Sequence, residues 1–318
     1  MHFFVVDLPG RDRVKTRKRT HFVILSEAKN PCRRGSRMRG FFASLRMTDF
    51  SRTLGRAGTE GSIDPTRPAF PEGRRWLKAS VALLACAAVA FAHPAIEPAP
   101  RQFFGGQNAS WLQRHEEYVA AAKRGGIDVV FLGDSITDLW RTTGRALWDE
   151  HFAPLRAANF AIDGDRTQNQ LWRLQHGEID GLAPRVVVAM IGGNNTGTEK
   201  DGTPRNSTAE AIEGVTLIVT TLRTKLPETR ILLLGIFPRG EKDSPQRAQI
   251  REVNAALRRL HDGWRIHFLD LGPKFLAPDG TLPREVMPDL VHPNEAGYAI
   301  WAAALKEPLA ELLKASRP

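Results

Sequence analysis

Between residues 93 and 318 the chain alternates between two kinds of apolar pattern. Apolar, β-rich runs fall at 128–132, 157–162, 185–191, 230–236 and 266–271. Runs such as "RVVVAMIG" and "RILLLGIF" are continuous rather than alternating, which predicts strands covered on both faces. Amphipathic segments with helical spacing lie between them, at 109–124, 137–149, 167–176, 207–226, 244–261 and 295–315. Strands of this type alternating with helices predict an α/β fold, a parallel sheet between two helical layers joined by right-handed crossovers. In such a sheet ligands gather at the carboxyl ends of the strands, so the chemistry is sought in the residues that follow each run.

The first 92 residues break this pattern. Residues 1–73 are rich in Arg, Gly, Ser and Thr and sustain no period, so they read as a disordered or mis-annotated leader rather than a domain. "HFVILSEAKN…FFASLRMTDF" resembles translated bacterial intergenic repeat, which fits a start codon placed too far upstream. Residues 74–92 carry Arg74, Arg75 and Lys78, then an apolar run of 13 residues from Ala79 to Phe91, then Ala90-Phe91-Ala92 before His93. That order predicts a secretory signal peptide, too short for a membrane span, and export after cleavage near Ala92. Leu83-Leu84-Ala85-Cys86 offers lipid attachment at Cys86 as the alternative. The second cysteine, Cys32, also lies in the leader, so the domain at 93–318 rests on its core with no disulfide.

Charge changes the picture only when it is divided. The whole chain has a formal net charge of +10. The 18 basic and 7 acidic residues of 1–92 account for the excess, leaving 27 and 28 in 93–318. The folded part therefore has no polyanion-binding field, which excludes nucleic acid as its partner class.

The strand ends supply the candidate chemistry. After the first run comes Gly133-Asp134-Ser135, where glycine permits a tight turn and Ser135 is either a nucleophile or a helix N-cap. After the second comes Gly164, in "NFAIDGDRTQNQLWRL", where a backbone N–H can face a ligand. Its flanking Asp163 and Asp165 lack further ligands for a metal and read as caps or solvated loop residues. After the third, in "IGGNNTG", Asn194 either donates through its amide or closes an Asx-turn. After the fourth, "FPRGEKDSP" offers no ionisable group for chemistry. In "MPDLVHPNEAGYAIW", Asp289 and His292 are three residues apart, close enough for a carboxylate to reach Nδ1 and leave Nε2 free. Taken together, Ser135, His292 and Asp289 form a nucleophile, base and orienting acid. The N–H groups of Ser135 and Gly164 and the amide of Asn194 form an oxyanion hole.

"GDS", the later glycine, "GxN" and "DxxH", in this order, resemble the four blocks of the SGNH (GDSL-type) hydrolases. "NFAIDGDRTQNQLWRLQHGEID", "IGGNN" and "FPRGEKDSPQRAQIREVN" are similar to the catalytic alpha subunits of the intracellular platelet-activating-factor acetylhydrolase, over about 109–313. The resemblance implies a flavodoxin-like α/β/α sandwich with five parallel strands and no metal or organic cofactor. It assigns the same residues to the triad and oxyanion hole. It also places Ile136, Gly193 and Val291 near the acyl chain, with the β-branched pair closing the pocket and Gly193 leaving room. The chain departs from the wider family in Asp163, where a glycine is common, and in "GGNN" in place of "GxND", although the alpha subunits also carry Asn there. The implied activity is hydrolysis of short-chain, acetyl-type esters, on a small molecule or an acetylated saccharide. An O-acyltransferase with the same triad and a non-catalytic binding module are the alternatives, and a homodimer is compatible with either.

Overall fold

The computed structural model describes residues 93–103 and 106–315; the expected signal peptide, both cysteines and the rest of 1–92 lie outside the described residues. A short antiparallel hairpin of β1 (Gln102–Phe103) and β2 (Gly106–Gln107) precedes helix α1 (Ala109–Arg124). The sheet is built from β3 (Val129–Gly133), β4 (Ala157–Asn159), β5 (Val186–Met190), β6 (Arg230–Leu234) and β7 (Ile266–Leu269). Its order is β4-β3-β5-β6-β7, with every neighbouring pair parallel. The chain starts in the middle at β3, turns one way to β4 and the other way to β5. That reversal opens a crevice above the carboxyl ends of β3 and β5.

Strand alternation decides which helix covers which face. Val130, Leu132, Val187, Ala189, Ile231 and Leu233 pack with α1, α4 (Thr167–Gln175), α5 (Thr208–Lys225) and α6 (Pro245–Leu257). Val129, Phe131, Val186, Val188, Leu232 and Leu234 face α7 (Glu295–Lys314) and the segment of α2 (Ser135–Asp138) and α3 (Arg145–His151). The second face is the aromatic one. The Phe131 ring lies 5.0 Å from Trp148 and 5.1 Å from Phe152, and Trp140 lies 4.5 Å from Tyr298 and 5.1 Å from Trp301. Truncating one such ring to alanine costs ~3–5 kcal/mol, because its neighbours cannot collapse into the space.

Two elements differ from the pattern-based reading, each for a local reason. The helix expected over 137–149 is broken into α2, a 3-10 turn at Leu139–Arg141 and α3. The N–H groups of Thr142 and Gly144 both turn back to the Leu139 carbonyl, and a Cβ at Gly144 would meet the Trp140 ring at 2.5 Å. The strand expected over 157–162 pairs in the ladder only to Asn159, whose side chain accepts from Ala161 N and donates to the Thr137 carbonyl. The backbone beyond it still follows β3, with Phe160 N donating to Phe131 O and Ile162 N to Gly133 O. Ahead of the hairpin, residues 93–101 lie against α4. Thr167 donates to the Ala95 carbonyl at 2.7 Å, and Asn169 donates to the Ala99 carbonyl at 3.0 Å.

Candidate active site

The strand-to-helix turn at Gly133-Asp134-Ser135 is closed by contacts that only glycine permits. A Cβ at Gly133 would meet the Thr137 hydroxyl at 2.4 Å and the Met190 carbonyl at 2.6 Å, so α2 could not fold back over β3. Asp134, rather than Ser135, is the N-cap: its carboxylate accepts from Ile136 N at 3.1 Å. Ser135 is thereby freed as the first residue of α2, where N–H groups have no partner within the helix. Tyr298 fixes the turn from behind by donating to the Ile136 carbonyl at 2.6 Å.

The Ser135 hydroxyl lies 2.9 Å from His292 Nε2, and His292 Nδ1 lies 2.6 Å from Asp289 Oδ2. The other carboxylate oxygen of Asp289 accepts from the backbone N–H groups of Val291 and His292 at 2.9 and 2.7 Å. Partial burial pushes the Asp289 carboxyl up, but the His292 backbone N–H, the imidazole and the Val291 N–H outweigh it and hold it below its ordinary value. The loop takes this shape through Leu290, a non-glycine residue at φ 60°. Such a conformation costs ~1–2 kcal/mol. It is held by packing of the Leu290 side chain into the aromatic core and by Gly240 N, which donates to its carbonyl at 2.8 Å.

The two loops expected to supply donors meet across the crevice. Gly164 sits at φ 73°, a conformation open to glycine, and directs its turn toward α4. Asn194 Nδ2 donates to the Asp165 carbonyl at 3.0 Å, which binds the β5 loop to the β4 loop. Its neighbour Asn195 is fully buried and structural, accepting from Thr167 N and donating to Thr167 and Asn206.

Arg239 completes the site and was missed by the sequence reading, which found nothing ionisable for chemistry in "FPRGEKDSP". It follows β6, is 3% exposed, and donates to Asn194 Oδ1 at 3.0 Å and to Asp134 Oδ2 at 3.3 Å. Burial pushes the Asp134 carboxyl up from its ordinary value and pulls the Arg239 guanidinium down; each opposes the other's shift through their mutual attraction. A basic residue in the loop that follows a buried parallel strand was the signal available in the sequence.

Two of the three expected acyl-chain residues have no open space at their side-chain positions. Ile136 is 1% exposed and packed into the aromatic core. Gly193 leaves no room, because a Cβ there would meet the Arg239 guanidinium, Nη2 at 2.6 Å and Cζ at 2.8 Å. Val291, on the histidine loop, is half-buried. Asp165 also corrects an expectation: it is not a solvated loop residue but is fully buried, pairing with Arg173 at 2.8 Å and accepting from the Trp111 indole at 2.6 Å. Arg173 reaches Glu178 as well, so one buried cation serves two buried carboxylates. Among the described residues no group of three or more His, Cys, Asp or Glu side chains converges as metal ligands would, and no helix is long and apolar enough to cross a membrane.

The profile of the GDSL-like Lipase/Acylhydrolase family matches residues 131–300. The chain is 38% identical over 223 residues to platelet-activating factor acetylhydrolase IB subunit alpha1 of Rattus norvegicus, covering 70% of this chain and 91% of the relative. It is 35% identical over 205 residues to subunit alpha2 of the same animal, covering 64% and 85%. Among solved structures, a candidate acylhydrolase of Bacteroides fragilis superposes with a TM-score of 0.52 at 20% identity, over 65% of this chain and 99% of that one. A GDSL-like lipase of Bacteroides thetaiotaomicron gives 0.50 at 18% identity, over 62% and 97%. These last two are likenesses of fold.

Proposed function

The chain belongs to the GDSL-like lipase/acylhydrolase family, and from that premise we propose that it hydrolyses short-chain, acetyl-type carboxylic esters through Ser135, His292 and Asp289. The observation that carries this reading is the continuous hydrogen-bonded line from the Ser135 hydroxyl through both imidazole nitrogens to Asp289. His292 Nε2 takes the hydroxyl proton as Ser135 Oγ attacks the ester carbonyl, and Asp289 holds the tautomer and stabilises the imidazolium. The developing oxyanion is met by the N–H groups of Ser135 and Gly164 and by the Asn194 amide N–H that Asp165 does not use. His292 then returns the proton to the leaving alcohol, and water repeats the sequence on the acyl-enzyme.

The acetyl group is the part of the substrate that the name of the alpha1 and alpha2 relatives supports. For the alcohol side we favour a polar, saccharide-like group. A cavity of about 340 Å³ lies beside the Gly164 turn; polar side chains such as Asn108, Ser110, Arg114 and Asp163 line it together with the apolar Trp111 and Ile162. Such a lining offers hydroxyl groups donors and acceptors beside the Trp111 ring, a mixed surface that suits a sugar. Export through the segment at 74–92 fits a substrate outside the cell; N-terminal sequencing of the exported protein should find His93 first. The test of the reaction is hydrolysis of p-nitrophenyl acetate beside acetylated xylan. Ser135→Ala should lower turnover by ~10⁴–10⁶ while leaving the fold intact. A variant that keeps a tenth of the activity rejects Ser135 as the nucleophile.

A further inference from the structure

We propose that Arg239 is a positioning residue for the oxyanion hole, fixing which end of the Asn194 amide faces the substrate. The proposal rests on the esterase reading above. An asparagine side chain can be turned end for end at little steric cost, and only its NH2 end stabilises an oxyanion; the C=O end repels it. What settles the orientation is the chemistry of its neighbours. Guanidinium carries five N–H donors and no acceptor, so the amide oxygen must face Arg239, which lies 3.0 Å from it. On the opposite end, the Asp165 carbonyl accepts from Nδ2 at 3.0 Å and can pair with nothing but a donor. The two neighbours enforce the same orientation, leaving the second amide N–H for the ligand.

Arg239 is itself held from three sides. Its guanidinium reaches Asp134, which caps α2 immediately before Ser135. Its flat face lies over Gly193, where any Cβ would displace it. Its backbone carbonyl accepts from Arg247 Nε at 3.1 Å, and Arg247, 3% exposed, also donates to the carbonyl of Gly280. Nucleophile turn and oxyanion amide are thus joined through one buried planar cation. Lysine could not replace it, since a single ammonium at the end of a flexible stem lacks the fork that spans a carboxylate and an amide in fixed geometry.

The test is a double-mutant cycle on p-nitrophenyl acetate with wild type, Arg239→Met, Asn194→Ala and the double variant, and with Ser135→Ala as the reference for chemistry at the serine. Asn194→Ala should lower kcat by ~10²–10³. Arg239→Met should lower kcat by ~10–10² with KM changed less than about threefold, because it acts through Asn194. In the Asn194→Ala background the same change should cost less than about threefold more, since the amide to be positioned is gone. Additive losses in the cycle, or a loss confined to KM, would overturn the role. Arg239→Lys provides the same measurement if the Met variant does not fold: it should also lower kcat at unchanged KM, and wild-type turnover would overturn the proposal. A wild-type protein that hydrolyses none of the esters would reject the esterase reading instead, and Ser135→Ala at wild-type activity would reject only Ser135 as its nucleophile, so the failures are distinguishable.

Discussion

Replacing Gly193 by alanine tests the site through its smallest change. From the family resemblance, filling this position should narrow the acyl pocket and shift preference toward acetate. The geometry gives a different expectation. The new Cβ would stand 2.6 Å from Arg239 Nη2 and 2.8 Å from Cζ, against an ordinary contact of 3.4 Å or more. The guanidinium must therefore retreat by about 0.8 Å, the gap between those distances. It is buried, so it cannot swing into solvent, and the retreat stretches its hydrogen bonds to Asn194 and Asp134, now 3.0 and 3.3 Å, beyond useful range. Hydrogen bonds to charged groups contribute ~1.5–3 kcal/mol each, and part of that loss reaches turnover through the Asn194 amide. Gly193→Ala is expected to lower kcat by ~10–10² and to lower it equally for acetate, butyrate and octanoate esters, with KM little changed. Steady-state kinetics over the three p-nitrophenyl esters makes the measurement, with thermal unfolding alongside to register the lost ion-pair contacts. A profile that narrows toward acetate at unchanged acetate turnover would refute the reasoning and restore Gly193 to an acyl pocket.

Other expectations follow from the same contacts. Asp289→Asn should lower kcat by ~10⁴ by favouring the wrong imidazole tautomer, and a loss below tenfold would remove Asp289 from the relay. Burial holds the Glu178 carboxyl up at about 7 and Asp165 at about 6, with Arg173 opposing both shifts. Unfolded, these carboxyls release their protons at about pH 4, so between about 4 and 7 the folded state holds protons the unfolded chain has lost. Their contribution to stability is complete below that window and is lost as pH rises through the folded values. Glu178→Gln stays neutral throughout, so its melting temperature relative to wild type should rise from pH 5 to pH 8; a constant difference rejects the account. Tyr298→Phe leaves the Ile136 carbonyl without its 2.6 Å donor and should destabilise the fold by ~1–3 kcal/mol, read from denaturant unfolding.

By itself the sequence determined those features that depend on neighbours along the chain. Continuous apolar runs required strands covered on both faces, and hence a parallel sheet between helices. Glycine before Asp134 and Ser135 required a tight turn at a strand end, and the Asp289–His292 spacing required a short loop able to join carboxylate to imidazole. Such signals are local, so they survive in one dimension. Which side chain fills the space between loops is a different kind of fact. Arg239 lies 105 residues from the Asp134 it pairs with and 45 from Asn194, and no periodicity links them. Sheet order β4-β3-β5-β6-β7 places the carboxyl ends of β3, β5 and β6 side by side, and only that adjacency carries the guanidinium to Gly193. The same holds for Asp165, which a polar loop sequence made look solvated until α1 and α4 closed over it with Trp111 and Arg173. Burial, and the partner that makes burial of a charge tolerable, are properties of the packed assembly; the tertiary structure alone decided them.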